Sequence, residues 1–291
     1  MNRRSGRIAA AGALLAVLLA GCTAQPEPTD AAPPASPTPT SAVAAVERLT
    51  AVGDSITLGV NACGEVARCP EAAWATGTDA SVESLAARLA AETGVAPETS
   101  VVAGEGAQMG DLVDDVPAIV AGAPDLVAIL LGANDACATS LDAVTSAADY
   151  REAAESVVGG IADALPEATV LVLSVPGVGR LWEQGRQVDA VVATWERWSA
   201  CASMFADPTS DAADDVDRRA QVEARIDEYD SALAEVCAAR ANCRFDGGSV
   251  HDMPIEAADV STLDFFHPSA AGQRQIAQAA WDALTAEPGS R

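Results

Sequence analysis

Four short apolar runs, each bounded by Gly, Asp or Pro, constrain the fold of this chain more than any other feature. They read RLTAVGDS, TSVVAGEG, DLVAILLGAND and ATVLVLSVPG. Ala- and Leu-rich stretches with helical spacing lie between them, near 80–93, 109–122 and 141–165. Such alternation predicts an α/β domain, in which a buried parallel sheet carries helices on both faces. A weaker fifth strand is predicted at 242–247, after long helical segments over about 186–238.

The first 22 residues, MNRRSGRIAAAGALLAVLLAGC, have the features of an export signal. A basic head precedes an apolar run over 8–20 that is too short to span a bilayer. The final four residues, LAGC, resemble the bacterial lipoprotein box. We therefore predict a lipoprotein signal peptide over 1–21 and lipidation of Cys22, which would anchor the chain to the outer face of the cytoplasmic membrane. An ordinary secretory signal with a chance cysteine is the alternative, and the chain would then be secreted.

A change in composition predicts where the folded part begins. Residues 22–45 are rich in Pro, Thr, Ser and Ala, which bury too little apolar surface to offset the entropy of ordering, so a disordered tether is expected. Residues 46–291 have the composition and length of one globular domain, and we expect a monomer.

The charge of the chain narrows its possible partners. It contains 17 basic residues, all Arg, against 42 Asp plus Glu, and its net charge is −25. A chain this acidic repels phosphate backbones and anionic lipid head groups, so nucleic-acid binding is not expected. A neutral small-molecule or glycan substrate fits better.

The cysteine count indicates disulfides. With Cys22 assigned to lipidation, six cysteines remain in a chain predicted to be exported, and an even number favours cross-links. Fifteen pairings are possible. Closure of short local loops favours the one that joins Cys63 with Cys69 and Cys237 with Cys243, which leaves Cys137 for Cys201. A zinc site is the competing interpretation, but neither close pair has CxxC spacing, and no metal is predicted.

Polar residues follow the predicted strands where a parallel sheet collects its ligands, at the carboxyl ends. The first strand runs into Ser55, the second into Gly104 and Gly106, and the third into Asn134. Near the C-terminus the segment STLDFFHPSAAGQ adds an aspartate and a histidine just before the last predicted helix. Four separate segments therefore supply chemistry to one edge of the sheet.

A serine nucleophile with a histidine base is the simplest chemistry for this set. Ser55 needs a base, and His267 is favoured because Asp264, three residues earlier, can reach its Nδ1 and fix the tautomer. His251 is the alternative base, although its neighbour Asp252 is expected to point away and its segment resembles an exposed loop.

The tetrahedral intermediate of acyl transfer needs donors for its oxyanion. The backbone N–H groups of Gly106 and Ser55, with the side-chain amide of Asn134, are the candidates. Each motif also has a plain interpretation: a tight turn at Ser55, a dinucleotide loop at the glycines, or a helix cap at Asn134. Their order and common edge favour the catalytic interpretation.

Together the motifs GDSITLG, GEGAQMGDL, GANDA and DFFHPS resemble the SGNH, or GDSL-type, serine hydrolase family of esterases and lipases, over about 50–273. The resemblance implies a flavodoxin-like three-layer sandwich with a five-stranded parallel sheet, and a serine esterase without metal or organic cofactor. It also implies catalytic roles for Ser55, Asp264 and His267, with Ser55, Gly106 and Asn134 in the oxyanion hole. One departure is Val102 where the family often has Asn, which leaves Gly104 as an alternative to Gly106.

The substrate is less constrained than the chemistry. The expected function is hydrolysis of short-to-medium acyl or acetyl esters through an acyl-enzyme. The alternatives are O-deacetylation of envelope or plant polysaccharides, and ligand binding without catalysis. Three tryptophans could line a pocket, but packing onto the sheet is the commoner fate of helical tryptophans; these are Trp182, Trp195 and Trp198.

Overall fold

The computed structural model describes Val43 and residues 46–199 and 201–287, which belong to one compact unit, Thr40–Arg291. The predicted signal peptide over 1–21, Cys22 and all of the tether except Val43 fall outside the described residues. Within the described part of the chain, no helix has the length and hydrophobicity that a membrane span requires.

Five strands form one parallel sheet in the order β2-β1-β3-β4-β5. The prediction of a five-stranded parallel sheet is confirmed, including the weak last strand. Gly53 lies opposite Ala103 on one side and Leu130 on the other, so the three central strands end at a common edge. The strands are β1 (Arg48–Gly53), β2 (Glu98–Ala103), β3 (Leu126–Leu130), β4 (Thr169–Val172) and β5 (Cys243–Phe245).

The helices follow the predicted alternation. In chain order they are α1 (Leu85–Thr93), α2 (Val116–Ala121), α3 (Ala133–Ala136), α4 (Ala147–Ala154), α5 (Gly160–Ala164), α6 (Val178–Gly185), α7 (Asp189–Trp198), α8 (Ala202–Phe205), α9 (Ala213–Ala238) and α10 (Ala270–Thr285). A π-helical turn joins α4 to α5. The long helical region predicted over 186–238 is interrupted at Ser199 and Cys201, which adopt left-handed backbone conformations between α7 and α8.

Two apolar layers enclose the sheet, because alternate residues of each buried strand face opposite sides. Val127 and Ile129 of β3 pack in one layer with Tyr150 and Tyr229. The neighbouring residues of β3 pack in the other layer against α1 and α10. The arrangement is a three-layer sandwich, as predicted.

Three disulfides join the pairs that loop closure favours: Cys63–Cys69, Cys137–Cys201 and Cys237–Cys243. The first closes a loop that follows the β1 turn. The second ties the segment after α3 to the start of α8. Glu71 lies near the first pair at metal-ligand distances, but the two sulfurs are bonded to each other.

Candidate active site

The turn after β1 presents Ser55 at the carboxyl edge of the sheet. Gly53 is required there, since a Cβ would lie 2.2 Å from Thr57 Oγ1 and 2.5 Å from the Leu130 carbonyl oxygen. Asp54 Oδ1 accepts the N–H of Ile56 at 2.8 Å, which holds the turn in shape. Ser55 is only 7% exposed. The tight-turn and nucleophile interpretations are therefore compatible, because the turn fixes the hydroxyl.

Ser55, His267 and Asp264 form a continuous hydrogen-bonded chain. Ser55 Oγ lies 2.9 Å from His267 Nε2, and His267 Nδ1 lies 2.5 Å from Asp264 Oδ2. With the Nδ1 proton donated to Asp264, Nε2 is free to accept the serine proton. The structure thus brings together the three residues predicted to be catalytic.

Asp264 is held as a carboxylate. Its Oδ1 accepts the backbone N–H groups of Phe266 and His267, and its Oδ2 also accepts from the side-chain amide of Asn61 at 2.7 Å. Burial alone would raise the pKa of Asp264, but the hydrogen bond and charge of His267, with the other donors, outweigh it and hold that pKa below its ordinary value. The charge that orients the imidazole is therefore retained.

Neighbouring elements fix the histidine segment. Ser269 caps α10 by accepting N–H groups of its first turn. Gln273 in α10 donates to the carbonyl oxygen of Ile56 at 2.9 Å, which links the helix to the nucleophile turn. Trp195 of α7 donates its indole N–H to the carbonyl oxygen of Phe265 at 3.0 Å. The nucleophile and its base are thus positioned by one bonded network.

Gly104 and Gly106, the two glycines considered for the oxyanion hole, differ in whether their N–H is already bonded. Gly104 donates its N–H to the Gly53 carbonyl oxygen at 3.3 Å, continuing the sheet pairing beyond β1 and β2. Gly106 adopts a φ of +75°, which glycine tolerates, and an added Cβ would meet no atom within 4 Å. Because the Gly104 N–H is already bonded, the geometry favours Gly106 over Gly104, the alternative that Val102 left open.

Asn134 lies in α3 beside the nucleophile turn, but both of its amide N–H groups are engaged. One donates to Asp54 Oδ2 at 3.2 Å and the other to the carbonyl oxygen of Ala107 at 3.0 Å. Burial raises the pKa of Asp54 to about 6. An oxyanion would have to share or replace one of these bonds, so the amide is placed for its predicted role but does not stand free.

Asp135 has a structural task rather than a catalytic one. Its Oδ2 accepts the N–H of Met109 at 2.9 Å, and this bond ties α3 to the segment that follows Gly106. Burial raises the pKa of Asp135 to about 6. This contact fixes the relative positions of the glycine and asparagine motifs.

His251, the alternative base, has its ring nitrogens beside aspartates of α9, whereas the Ser55 hydroxyl contacts His267. Its Nδ1 lies 3.1 Å from Asp230 Oδ2 on α9, while Asp252 pairs with Arg180. Its segment is a loop with several exposed residues, as expected, but His251 itself is partly buried, because Ser174 Oγ accepts its backbone N–H and the ring contacts α9. The Asp230 carboxylate beside Nδ1 raises the pKa of His251, although burial opposes the shift.

The three tryptophans have three different environments. Trp195 is fully buried and stacks on Phe205, as the core interpretation predicts. Trp198, the last residue of α7 and three residues after Trp195, is 53% exposed. Trp182 lies under the guanidinium groups of Arg186 and Arg219.

Two cavities lie on opposite sides of α6. An apolar cavity of about 70 Å³ is lined by Ile56, which follows Ser55, and by Phe266 and Pro268, which flank His267, together with Val178 and Leu181 of α6. A polar cavity of about 500 Å³ is lined by the other face of α6 and by α9; its charged lining includes Arg180, Arg186, Arg219, Glu223 and His251.

Sequence reasoning missed two residues that support the site, Asn61 and Gln273. Each acts through a contact with a residue about 200 positions distant in the chain, and no local pattern encodes such a contact. The sequence shows only that an asparagine follows Ser55 by six residues. Its partner in the site becomes apparent only in the folded structure.

Comparisons with known proteins agree with this geometry. LAE5, an alpha/beta hydrolase enzyme from the metagenome of Lake Arreo, is 22% identical, with a TM-score of 0.52 over 84% of this chain and 97% of its own. A variant of Axe2, an acetyl-xylooligosaccharide esterase from Geobacillus, is 20% identical, with a TM-score of 0.50 over 83% and 95%. A lipase/acylhydrolase from Enterococcus faecalis is 20% identical, with a TM-score of 0.50 over 84% and 100%.

At these identities the solved structures establish the shared fold. No curated protein matches the chain. The profile of the GDSL-like lipase/acylhydrolase family matches residues 51–275, a span that contains every residue of the catalytic chain described above. The chain therefore belongs to the GDSL-like lipase/acylhydrolase family and is a hydrolase that acts on ester bonds.

Proposed function

We propose that the protein is a serine esterase that cleaves short acyl esters of neutral substrates through an acyl-enzyme intermediate. The single observation that carries the proposal is the bonded chain from Ser55 Oγ through His267 to Asp264, with distances of 2.9 and 2.5 Å. A serine that is part of such a chain is activated as a nucleophile, because the histidine can take its proton during attack.

The proposed reaction has two halves. Ser55 Oγ attacks the ester carbonyl carbon while His267 Nε2 takes its proton, and His267 then protonates the departing alkoxide as the tetrahedral intermediate collapses. Water, deprotonated by His267, next attacks the acyl-enzyme and releases the acid. Asp264 stays ionised and stabilises the imidazolium in both halves.

The oxyanion is assigned to donors around Ser55. The N–H groups of Ser55 and Gly106 bond to no acceptor among the described residues, so they are free to bind an oxyanion. Asn134 contributes when one of its two present bonds gives way. We assign the exchange to the bond with Asp54, which is the longer of the two at 3.2 Å against 3.0 Å.

The apolar cavity supports a short acyl group. Its volume of about 70 Å³ is small beside the roughly 300–1,000 Å³ of sites for drug-sized ligands. Its lining includes the sequence neighbours of Ser55 and His267. An acyl chain bound in the cavity would therefore have its carbonyl carbon close to Ser55. The same small volume favours acetyl esters of glycans as the alternative substrate class. A purely ligand-binding role has no comparable support, since binding does not require the complete catalytic chain.

The test compares p-nitrophenyl acetate, butyrate and octanoate with an acetylated oligosaccharide, using residues 46–291 and its Ser55→Ala variant. Turnover that declines from acetate to octanoate and disappears in Ser55→Ala supports the proposal. Turnover of the acetylated oligosaccharide alone favours the deacetylase alternative. Wild-type protein that turns over no ester contradicts both.

We further propose that the chain is exported, anchored through lipidated Cys22 and monomeric. Three disulfides support export, because such bonds persist in oxidising compartments. Mass spectrometry of the membrane fraction would detect diacylglyceryl-Cys22, and Cys22→Ala should release the protein from the membrane. An unmodified Cys22 in wild-type membranes contradicts the anchor, and a dimer mass in gel filtration contradicts the monomer.

A further inference from the structure

We propose that Asn61 is a fourth member of the catalytic chain, a positioning residue that holds Asp264 in the orientation in which it binds His267. The proposal rests on the proposed function, since it concerns the same site. Its basis is independent of the family motifs, because Asn61 lies between them along the chain and reaches the site only through the fold.

The first argument is the bond itself. Asn61 Nδ2 donates to Asp264 Oδ2 at 2.7 Å, and this is the oxygen that accepts the Nδ1 proton of His267. Asp264 Oδ1 is held separately by two backbone N–H groups. The carboxylate is therefore fixed at both oxygens, and Asn61 is the only side chain besides His267 that the described structure bonds to Oδ2.

The second argument is that Asn61 is kept in an unfavourable state. Its φ is +61°, in the left-handed region that few non-glycine residues occupy. Its Oδ1 is buried and has no hydrogen-bond partner among the described residues. Both features oppose folding, and residues that retain such features cluster at functional sites. Within the part of the chain that the structure describes, the only polar contact of the side chain is the one to Asp264.

The third argument is that the backbone of Asn61 is clamped from two sides. Its N–H donates to the carbonyl oxygen of Ala67 at 2.8 Å, inside the loop that the Cys63–Cys69 disulfide closes. Its carbonyl oxygen accepts from Ser261 Oγ at 2.9 Å, and Ser261 N–H in turn donates to the His267 carbonyl oxygen. The amide thus has a defined position relative to the histidine segment.

These contacts define what Asn61 does during the reaction. As His267 becomes cationic, the Asp264 carboxylate must stay in line with Nδ1, and rotation about its Cβ–Cγ bond would break that alignment. The Asn61 amide prevents the rotation at Oδ2. Because the Asn61 side chain is buried and bonds to Asp264, its loss should lower kcat and leave KM unchanged.

Asn61→Gly is the informative variant, since glycine accepts the left-handed backbone and only the amide is lost. Asn61→Asp keeps the size but replaces the donor with an acceptor. Asn242→Gly is the matched control, because the Asn242 amide bonds three backbone carbonyl oxygens far from the site. For each variant, kcat, KM and Tm are measured with p-nitrophenyl acetate.

We expect both Asn61 variants to lose about 10-fold or more in kcat. Losses of this size are typical when a residue that orients a metal-binding side chain is removed, and Asn61 orients Asp264 in a comparable way. KM should stay within 2-fold, and the Tm of Asn61→Gly should equal or exceed that of wild type. Asn242→Gly should show the reverse, a lower Tm with unchanged kcat.

Two results would overturn the inference. One is an Asn61→Gly protein with wild-type kcat, and the other is a loss of kcat that is accompanied by a matching loss of Tm, which is the behaviour of a structural residue. An inactive wild-type protein would instead reject the proposed function, so the two failures are distinguishable.

Discussion

The protein contains two histidine–aspartate pairs at the same end of the sheet, and only one is joined to a nucleophile. His267 and His251 both place Nδ1 against an aspartate, and their side chains are almost equally exposed, at 15% and 16%. At His267 the opposite nitrogen faces Ser55 Oγ. At His251 it faces Asp227 Oδ1 at 4.0 Å.

The difference shows that pairing and burial do not identify a catalytic histidine. The group on the far side of the ring does. At His267 that group is a hydroxyl that can give up a proton, whereas at His251 it is a carboxylate that favours the protonated ring. The first pair is therefore suited to proton transfer and the second to holding a charge.

Replacing each histidine by alanine should give the largest difference in kcat between the two histidine–aspartate pairs. His267→Ala removes the base and should lower kcat by about 10³-fold or more. His251→Ala should leave kcat within about 3-fold. Both are measured by turnover of p-nitrophenyl acetate with circular dichroism as a check on folding. Equal losses in two folded variants would show that the second pair takes part in catalysis.

Exchanging each aspartate for asparagine separates orientation from charge. Asp264→Asn leaves a neutral group beside the imidazole and permits the wrong tautomer, so kcat should fall by at least about 100-fold. Asp230→Asn should leave kcat close to that of wild type. The kcat values of the two variants are compared on the same ester, and an active Asp264→Asn protein would contradict the assigned role of that carboxylate.

The cavity beside His267 is apolar and the cavity beside His251 is polar. Substitutions at two adjacent residues of α6 change one cavity at a time. Leu181 lines the apolar cavity and Trp182 the polar one. Leu181→Ala enlarges the apolar cavity and should raise the ratio of kcat/KM for octanoate to that for acetate by about 5-fold, since one methylene in such a pocket is worth 1–3 kcal/mol. Trp182→Ala should leave the ratio unchanged. A ratio that responds to Trp182 instead would move the acyl site to the other face.

The smallest expected effect concerns stability. The raised pKa of His251 means that the folded state favours its protonated form, and this contribution is complete below the ordinary value of 6.5 and lost as the pH rises through the raised value. Burial raises the pKa of Asp230 as well, which limits the net gain from the pair.

His251→Gln should therefore reduce the free energy of unfolding more at pH 5.5 than at pH 9, by up to about 1 kcal/mol, the usual upper value for an ion pair near the surface. Urea unfolding at the two pH values measures this difference. A larger loss at pH 9 would reverse the assigned sign.

The sequence predicted those features that depend on local pattern or motif. The parallel sheet follows from the apolar runs, and the motifs located Ser55, Gly106, Asn134 and His267. It did not predict the engaged amide of Asn134, because that depends on how α3 meets the β1 turn. It did not predict the role of Asn61 either, since its side-chain partner is 203 residues away. The backbone of Asn61 is held by a bond to Ala67, within the loop that the Cys63–Cys69 disulfide closes.

The disulfides have a consequence for where the enzyme becomes competent. Cys63 follows Asn61 by two residues and Cys137 follows Asn134 by three, so each bond closes next to one side of the active site. A bacterial cytosol keeps thiols reduced. If the chain is exported as we propose, oxidation would complete the active-site loops after translocation, and esters inside the cell would meet an incompletely cross-linked enzyme. Comparing kcat before and after reduction of the purified protein would measure this dependence.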